Sequence, residues 1–376
     1  MNHSSPQELY FQQLLERTQQ AMRRSSHVHS YMLRVGEVRI RLTFADENTA
    51  AALMQSVWHI AMPEETESQE KSWKDDDENL NPTPDEGAEY EFLIWDALIS
   101  GVSLTPAPYE MKVMHYQGEI LAMSNERIRM SYAVGAGVLQ MMDHRRKLGI
   151  IAISDHNLLD LTVLAAPFRL LFVWVLNAVA HPVVHAAAVG DAHGAVLLTG
   201  QSGSGKSSTA LECLSAGLDF LGDDLCAISV GPCTPQVHSL YGTAKCHLHD
   251  CNRYPALSET LMTETHSNER KGVFQLLPKF QNQVAVQREI RAVLIPNHRS
   301  GKFGLTPGSA GMAIHGLASE ATGKKDPSRR QVFQVLSALM KQVPVWTFHL
   351  GSDRALIPEV IDALLTGREA TYLLPS

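Results

Sequence analysis

Cysteine is missing from the chain until Cys213, and the five present (Cys213, Cys226, Cys233, Cys246 and Cys251) crowd into one short stretch. An odd number so placed gives no disulfide framework and reads as a reduced, cytoplasmic protein. The opening twenty residues, Met1 to Gln20, lack the apolar core of a leader and read as an amphipathic helix. Positive charge is scarce. Lys and Arg number 32 against 40 Asp and Glu, a net of −8, which excludes a nucleic-acid binder working by broad phosphate neutralisation. Most of that deficit is local, because Glu64 to Glu89 holds eleven acids and two lysines, a net of −9. Uninterrupted apolar runs are also missing. The most apolar segment, Leu161 to Ala180, is broken by Pro167, Arg169 and Asn177, so a buried helix is expected there and no membrane partner.

What is present is an ordinary folded composition, 44% hydrophobic and 19% charged, which excludes wholesale disorder. A chain of 376 residues suggests two or three domains. The texture changes at Leu161, so the expected division is 1–160 and 161–376. The first part reads as strand-rich α+β. Tyr31 to Val35 and Val38 to Phe44 form a hairpin across Gly36-Glu37, and Ala50 to Ala61 reads as a helix capped by Thr49. Further strands are expected at Tyr90–Leu98, Met111–His115 and Ile128–Ala133. The acidic stretch 63–88 reads as a solvated loop. Neither an internal repeat nor the spacing of a catalytic set occurs in these 160 residues.

The second part alternates apolar strands with helices, the texture of a covered α/β sheet. An apolar helix from Phe168 to Ala180 opens it, and strands are read at 182–189 and Ala195–Thr199. A helix follows over Lys206–Ala216, then a short apolar run at Phe220-Leu221. The tail adds a strand at Arg291–Ile295, a helix at 331–342, a strand at 345–350 and a helix at 357–365.

Within this part Gly200-Gln-Ser202-Gly203-Ser204-Gly205-Lys206-Ser207 fits the pattern G-x-x-x-x-G-K-[ST], followed by Ser208. The strand before it and the helix after it supply the context that pattern needs. Glycines let the chain wrap a phosphate with its N–H groups pointing inward, and the helix N-terminus adds partial positive charge. Lys206 supplies a point charge for the outer phosphates, and the Ser207 hydroxyl can ligate Mg²⁺. A nucleoside triphosphate is therefore expected as ligand, with ATP and Mg²⁺ as cofactors.

Seventeen residues past Lys206 a second apolar segment ends in Asp223-Asp224. One acid suffices to hold the metal. A second gains a purpose in a kinase, where a carboxylate takes the proton of an acceptor hydroxyl. His185 lies on the strand before the P-loop strand, and a histidine there can be structural or functional. The run Cys246-His247-Leu248-His249-Asp250-Cys251 lacks a C-x-x-C pair and would point its side chains to opposite faces if extended, so it is not read as a zinc site.

Together, Val184-His185-Ala-Ala-Ala-Val189, Val196 through Ser207 and Leu221-Gly-Asp-Asp224 resemble the bacterial HPr kinase/phosphorylase catalytic domain, a P-loop fold related to PEP carboxykinase. The resemblance spans about residues 161–366. It is nearest to HPr-kinase-like serine kinases of lasso-peptide and other ribosomal-peptide biosynthesis, which carry segments like Ser239–Lys245 and Glu269–Phe274. It implies that His185 contacts the γ-phosphate, that one acid is the general base and the other the metal ligand, and that Lys245 and Lys271 touch phosphate or acceptor. Asp223 is taken as the base and Asp224 as the Mg²⁺ ligand. The Gly/Arg-rich signature of true HPr kinases is missing after the acid pair. With it goes the basis for expecting HPr as substrate, phosphorylase activity or a hexamer, although a homo-oligomer stays open.

Three functions compete. The first is an ATP- and Mg²⁺-dependent serine kinase acting on a peptide or small protein, above all a ribosomal peptide precursor. The second is a small-molecule or carboxykinase-type phosphotransferase, which would want an arginine-rich dicarboxylate site that is not evident. The third is a non-catalytic ATP-binding module, for which intact Lys206, Ser207, Asp223 and Asp224 would be needless.

Overall fold

The computed structural model describes residues 5–62, 89–106, 118–263, 271–298, 300–319 and 326–375. The expected acidic loop 63–88, the expected strand Met111–His115 and the residues Glu269 and Arg270 lie outside the described residues. Two compact units emerge, one comprising 1–55 and 61–175, the other 56–60 and 176–376. The division falls fifteen residues beyond the expected 160/161, because the first half of an apolar helix packs with the strands that precede it.

The first unit holds α1 (Pro6–Arg24), β1 (His29–Val35), β2 (Val38–Phe44), α2 (Glu47–Met54), β3 (Tyr90–Asp96), α3 (Ala97–Ser100), β4 (Ile128–Ala133), β5 (Val138–Asp143), β6 (Leu148–Ile153), α4 (Leu161–Ala165) and the first part of α5 (Arg169–Ala178). Ser5 and Glu8 form a capping box that starts α1, and Phe11, Leu14, Leu15 and Met22 bury its inner face against Leu93, Trp95 and Leu148. The sheet runs β1-β2-β3-β6-β5-β4, with β2, β3 and β6 mutually parallel and the outer pairs antiparallel. Strands β3 and β6 are covered on both faces, so they read as continuous apolar runs. On the face opposite α1, Phe92 packs on Phe172 of α5. A Cβ at Gly149 would stand 2.7 Å from the Phe92 ring and 3.3 Å from Leu171, so only glycine admits that packing.

Helix α2 corrects the expected 50–61. Its N-cap is Asp46, whose carboxylate accepts the Thr49 N–H at 2.7 Å, so the helix starts before Thr49 can cap it and ends at Met54. A 3₁₀ turn over Trp58–Ile60 follows, and residues 56–60 belong to the second unit. Among the described residues Leu161–Ala178 is the one stretch long and apolar enough to cross a membrane. It is two helices rather than one, broken at Pro167 and at Phe168 with φ 60°, and Leu171 to Leu176 are buried within the protein.

The second unit continues with β7 (Val183–Val184), β8 (Ala187–Asp191), β9 (Gly194–Leu198), α6 (Lys206–Ser215), β10 (Asp219–Gly222), β11 (Cys226–Ser229), β12 (Gln236–His238), β13 (Thr243–His247), α7 (Leu248–Cys251), β14 (Leu261–Met262), β15 (Lys271–Gln275), β16 (Gln287–Asn297), β17 (Phe303–Pro307), α8 (Ala310–Ala318), α9 (Arg329–Gln342), β18 (Val345–Leu350) and α10 (Ile357–Leu365). Its large sheet is mixed. Strand β9 lies between antiparallel β8 and parallel β16, and β16 also pairs in parallel with β18. The two-residue period of β9 supplies both cores. Val196 and Leu198 face α6 and α10, while Ala195 and Leu197 face α8 and α9. A buried leucine here, truncated to alanine, would cost about 2–5 kcal/mol, so the strand that presents the loop is rigidly held. The small sheet β13-β15-β14 packs Ala244, Cys246 and Phe274 into the α6 side of that core.

Candidate functional site

The chain leaves β9 at Leu198, and Thr199 still donates its N–H to the Leu294 carbonyl at 2.9 Å, so the loop begins from fixed backbone. Gly200, Gly203 and Gly205 take φ of 142°, 76° and 108°, values that side-chain-bearing residues adopt at a cost. At Gly205 a Cβ would also come within 2.7 Å of Leu350 Cδ1. Gly205 is the N-cap of α6 and offers no side chain, so no carboxylate or hydroxyl covers the helix's first N–H groups from that position. Strand β9, the glycine-bearing loop and α6 follow one another directly, and the helix start carries the positive end of its dipole.

Lys206 opens α6 and is buried, with Nζ donating to the Gly200 and Gln201 carbonyls at 2.9 and 3.3 Å. That ammonium is held across the loop. Ser204 Oγ is buried without a hydrogen-bond partner among the described residues. An unmet hydroxyl costs about 1–3 kcal/mol, a cost more easily understood in a ligand-binding loop than in a structural turn.

The acids stand just beyond β10. Ser207 Oγ donates to Asp223 Oδ1 at 2.8 Å, and the Lys245 backbone N–H donates to Asp223 Oδ2 at 2.8 Å. The same lysine reaches Asp224 with its side chain, Nζ to Oδ2 at 2.8 Å. His185 Nε2 lies 3.4 Å from Asp224 Oδ1. Lys245 can grip both acids because it sits on β13, beside the turn, and because Asp224 adopts φ 81°, one of four such non-glycine residues among those described. Asparagine and aspartate tolerate that region better than most residues. Such strain at a polar cluster points toward function.

The two carboxylates differ. Burial pushes the Asp223 carboxyl above the usual carboxylate range, and the neighbouring Asp224 charge adds to that, while the hydrogen bonds from Lys245 N–H and Ser207 oppose it. Asp223 is 6% exposed and has both oxygens engaged; the Asp224 side chain is 24% exposed. One acid is sunk and the other faces outward.

Of the residues expected from the sequence, Lys206, Ser207, Asp223, Asp224, Lys245 and His185 are brought together. Ser202 is exposed on the loop and Ser208 half-buried in the first turn of α6. Lys271 opens β15 opposite His247, exposed, on the sheet face that carries Lys245. The run 246–251 places its two thiols on one carbonyl. Cys246 and Cys251 are buried and both donate to the His247 carbonyl, at 3.2 and 3.4 Å, and burial pushes both thiols above their usual range.

Sequence reading missed the contribution of α8. The His185 N–H donates to the Leu317 carbonyl at 2.9 Å, and His185 Nδ1 lies 3.1 Å from Ser319 Oγ. At Gly316 a Cβ would stand 2.6 Å from Thr199 Oγ1 and 3.0 Å from the Gly200 nitrogen, so the end of α8 lies directly against the start of the P-loop. The small-residue run Gly311 to Ser319 was the available signal.

In the first unit, Asp96, Asp155 and His156 also stand close enough to share an ion. Both carboxylates already accept hydrogen bonds from the protein. Asp96 accepts from Ile99 N–H and from both N–H and ring of His156, and Asp155 accepts from Asn157.

No protein-family model matches the chain, and no curated protein matches it. Among solved structures the chain is similar to the Hpr(Ser) kinase/phosphatase from Coxiella burnetii, at 13% identity, covering 50% of this chain and 97% of that one with a TM-score of 0.27. A TM-score that low transfers neither fold nor activity, so the site's own geometry has to carry its function.

Proposed function

We propose that the second unit is a kinase that binds ATP with Mg²⁺ at Gly200–Ser208 and passes the γ-phosphoryl group to a serine hydroxyl. The acceptor class is a peptide or small protein, and the sequence resemblance favours a ribosomal, lasso-type peptide precursor. The observation that carries this reading is the continuous polar chain Ser207–Asp223–Lys245–Asp224–His185 beside a P-loop. A structural turn or a simple nucleotide sensor would not need its second half.

The donor set fits the metal. Ser207 and Asp223 offer a hydroxyl and a carboxylate already in contact, both hard oxygen donors of the kind Mg²⁺ takes. They would hold the ion, and when bound it neutralises charge on the phosphates. The rest is done by the chain. Lys206 and the loop N–H groups bind and orient the phosphates. Lys245 holds Asp224 in place, and Asp224 takes the proton of the acceptor hydroxyl at a carboxylate oxygen. His185, next to Asp224, faces the outer phosphate.

These roles reverse the order taken from the sequence. A raised pKa would suit Asp223 as a base, but a base must first reach its proton donor, and geometry ranks ahead of pKa. Asp223 is sunk between Ser207 and β13, whereas Asp224 is the more open carboxylate. The test is phosphate transfer from ATP to serine-bearing peptides, read as the mass gain of one phosphate, with Ser→Ala peptides as controls and HPr as a second acceptor. Transfer to serine with wild type, and transfer slowed at least about a hundredfold with Asp224→Asn, is the expected result, on the order expected for loss of a general base. ATP binding without transfer to any hydroxyl acceptor overturns the kinase reading.

A further inference from the structure

His185 is tied at three points, and the third decides its chemistry. Its N–H donates to Leu317 and its carbonyl accepts from the Thr199 hydroxyl at 3.4 Å, so the backbone is fixed between α8 and the P-loop strand. The ring then meets two oxygens, Ser319 Oγ at Nδ1 and Asp224 Oδ1 at Nε2. A hydroxyl can donate or accept, which would leave the tautomer open. Ser319 is the C-cap of α8, and its hydroxyl also lies 2.8 Å from the Gly316 carbonyl, the shorter of its two contacts and one that can only accept. With its single proton spent there, its oxygen accepts from the ring.

We infer that Ser319 is a positioning residue that holds the proton of His185 on Nδ1, leaving Nε2 as the ring atom directed at Asp224 and able to gain or lose a proton there. This rests on the kinase reading for its purpose, though not for its geometry. An imidazole whose Nδ1 is committed cannot turn over and exchange its two nitrogens without breaking that bond. Gly316, which receives the Ser319 proton, is also the residue packed on Thr199 and Gly200. The last turn of α8 thus sets the ring and the start of the phosphate loop together.

The experiment is nitrogen NMR of ¹⁵N-histidine-labelled full-length protein, with His185→Gln to assign the signal. It is run on wild type, Ser319→Ala and Ser319→Thr, with kcat and KM for ATP measured on the same samples. Wild type should show Nδ1 protonated. Ser319→Ala should show a population with Nδ1 bare and Nε2 protonated, and Ser319→Thr should restore the wild-type signal. In transfer, Ser319→Ala should lower kcat about fivefold to tenfold, one hydrogen bond's effect, with KM for ATP unchanged and threonine restoring the rate. A bare Nδ1 in wild type, or identical spectra for wild type and Ser319→Ala, overturns the inference. If the spectra change as expected but wild type transfers no phosphate, the positioning role of Ser319 stands and the kinase reading falls.

Discussion

Both units carry aspartates at strand ends, and their partners separate Asp223 and Asp224 of the second from Asp46, Asp96 and Asp155 of the first. In the first unit, Asp46 and Asp155 follow β2 and β6, and Asp96 closes β3. Each turns its carboxylate back onto backbone: to Thr49 N–H, to Ile99 and His156 N–H, and to Asn157 N–H, with the His156 ring a further partner of Asp96. They are helix and turn caps, each contributing about 1 kcal/mol of local stability. In the second unit, Asp223 and Asp224 follow β10, and α6 is capped by Gly205 instead. Freed from capping, the carboxylates meet a serine hydroxyl, a lysine and a histidine. A strand-end acid is thus no sign of catalysis by itself. Its donors tell a cap from a reagent.

The sharpest way to break this contrast is to remove one charge from each unit. Lys206→Ala should reduce phosphoryl transfer by about 10³-fold or more and abolish the thermal stabilisation by ATP–Mg²⁺, without loss of fold. Asp96→Ala should do the reverse. Stripping a buried cap and the partner of His156 should cost roughly 2–3 kcal/mol in denaturant unfolding while leaving turnover of the folded fraction unchanged. If Asp96→Ala abolishes turnover in protein that is still folded, the first unit's acids are not merely caps.

Acid should act on the second unit. Burial lowers the pKa of His59 and of His238 to about 4, with His181 adding to the effect at His238. Both are held neutral, half-buried His59 beside Ser239 and buried His238 beside Ser229. A histidine whose folded pKa lies below its unfolded value contributes stability that is present above about 6.5 and lost as pH falls toward 4. Each contributes up to roughly 3 kcal/mol. Hydrogen exchange should therefore show protection falling between pH 6.5 and 4 in peptides containing β12 and residues 56–60, and His59→Gln should flatten part of that slope. Unchanged protection over this range would contradict it. The smallest effect concerns Ser204. Replacing its buried, unpartnered hydroxyl should leave unfolding unchanged or slightly improve it, and weaken ATP binding about fivefold as read by calorimetry. Loss of stability without loss of binding would make Ser204 structural.

What was legible in the sequence was contiguous. Gly200 to Ser207 and Asp223-Asp224 carry their meaning in adjacent letters, and the hairpin 31–44 in its alternation and turn. What depends on distant packing was not. Ser319 acquires a role only when α8 folds back on β9, more than a hundred residues earlier in the chain. The roles of the two acids depend on which one Ser207 meets, and no spacing rule encodes that. Strands β5 and β6 were passed over because Met141, Met142 and Gly149 blur the β-branched pattern. Yet Gly149 is there to admit Phe92.

The division of labour between the two acids is tested most directly by one paired measurement on Asp224→Asn and Asp223→Asn. Mg²⁺-dependent ATP binding by calorimetry and phosphate transfer to a serine peptide are read on the same preparations. Asp224→Asn should bind ATP–Mg²⁺ as wild type does and transfer about 10²–10⁴-fold more slowly, having kept the shape and lost the base. Asp223→Asn should lose the Mg²⁺ dependence of binding along with turnover. If instead Asp223→Asn keeps metal-dependent binding and loses only transfer, while Asp224→Asn loses the metal, the assignment of the two carboxylates is wrong.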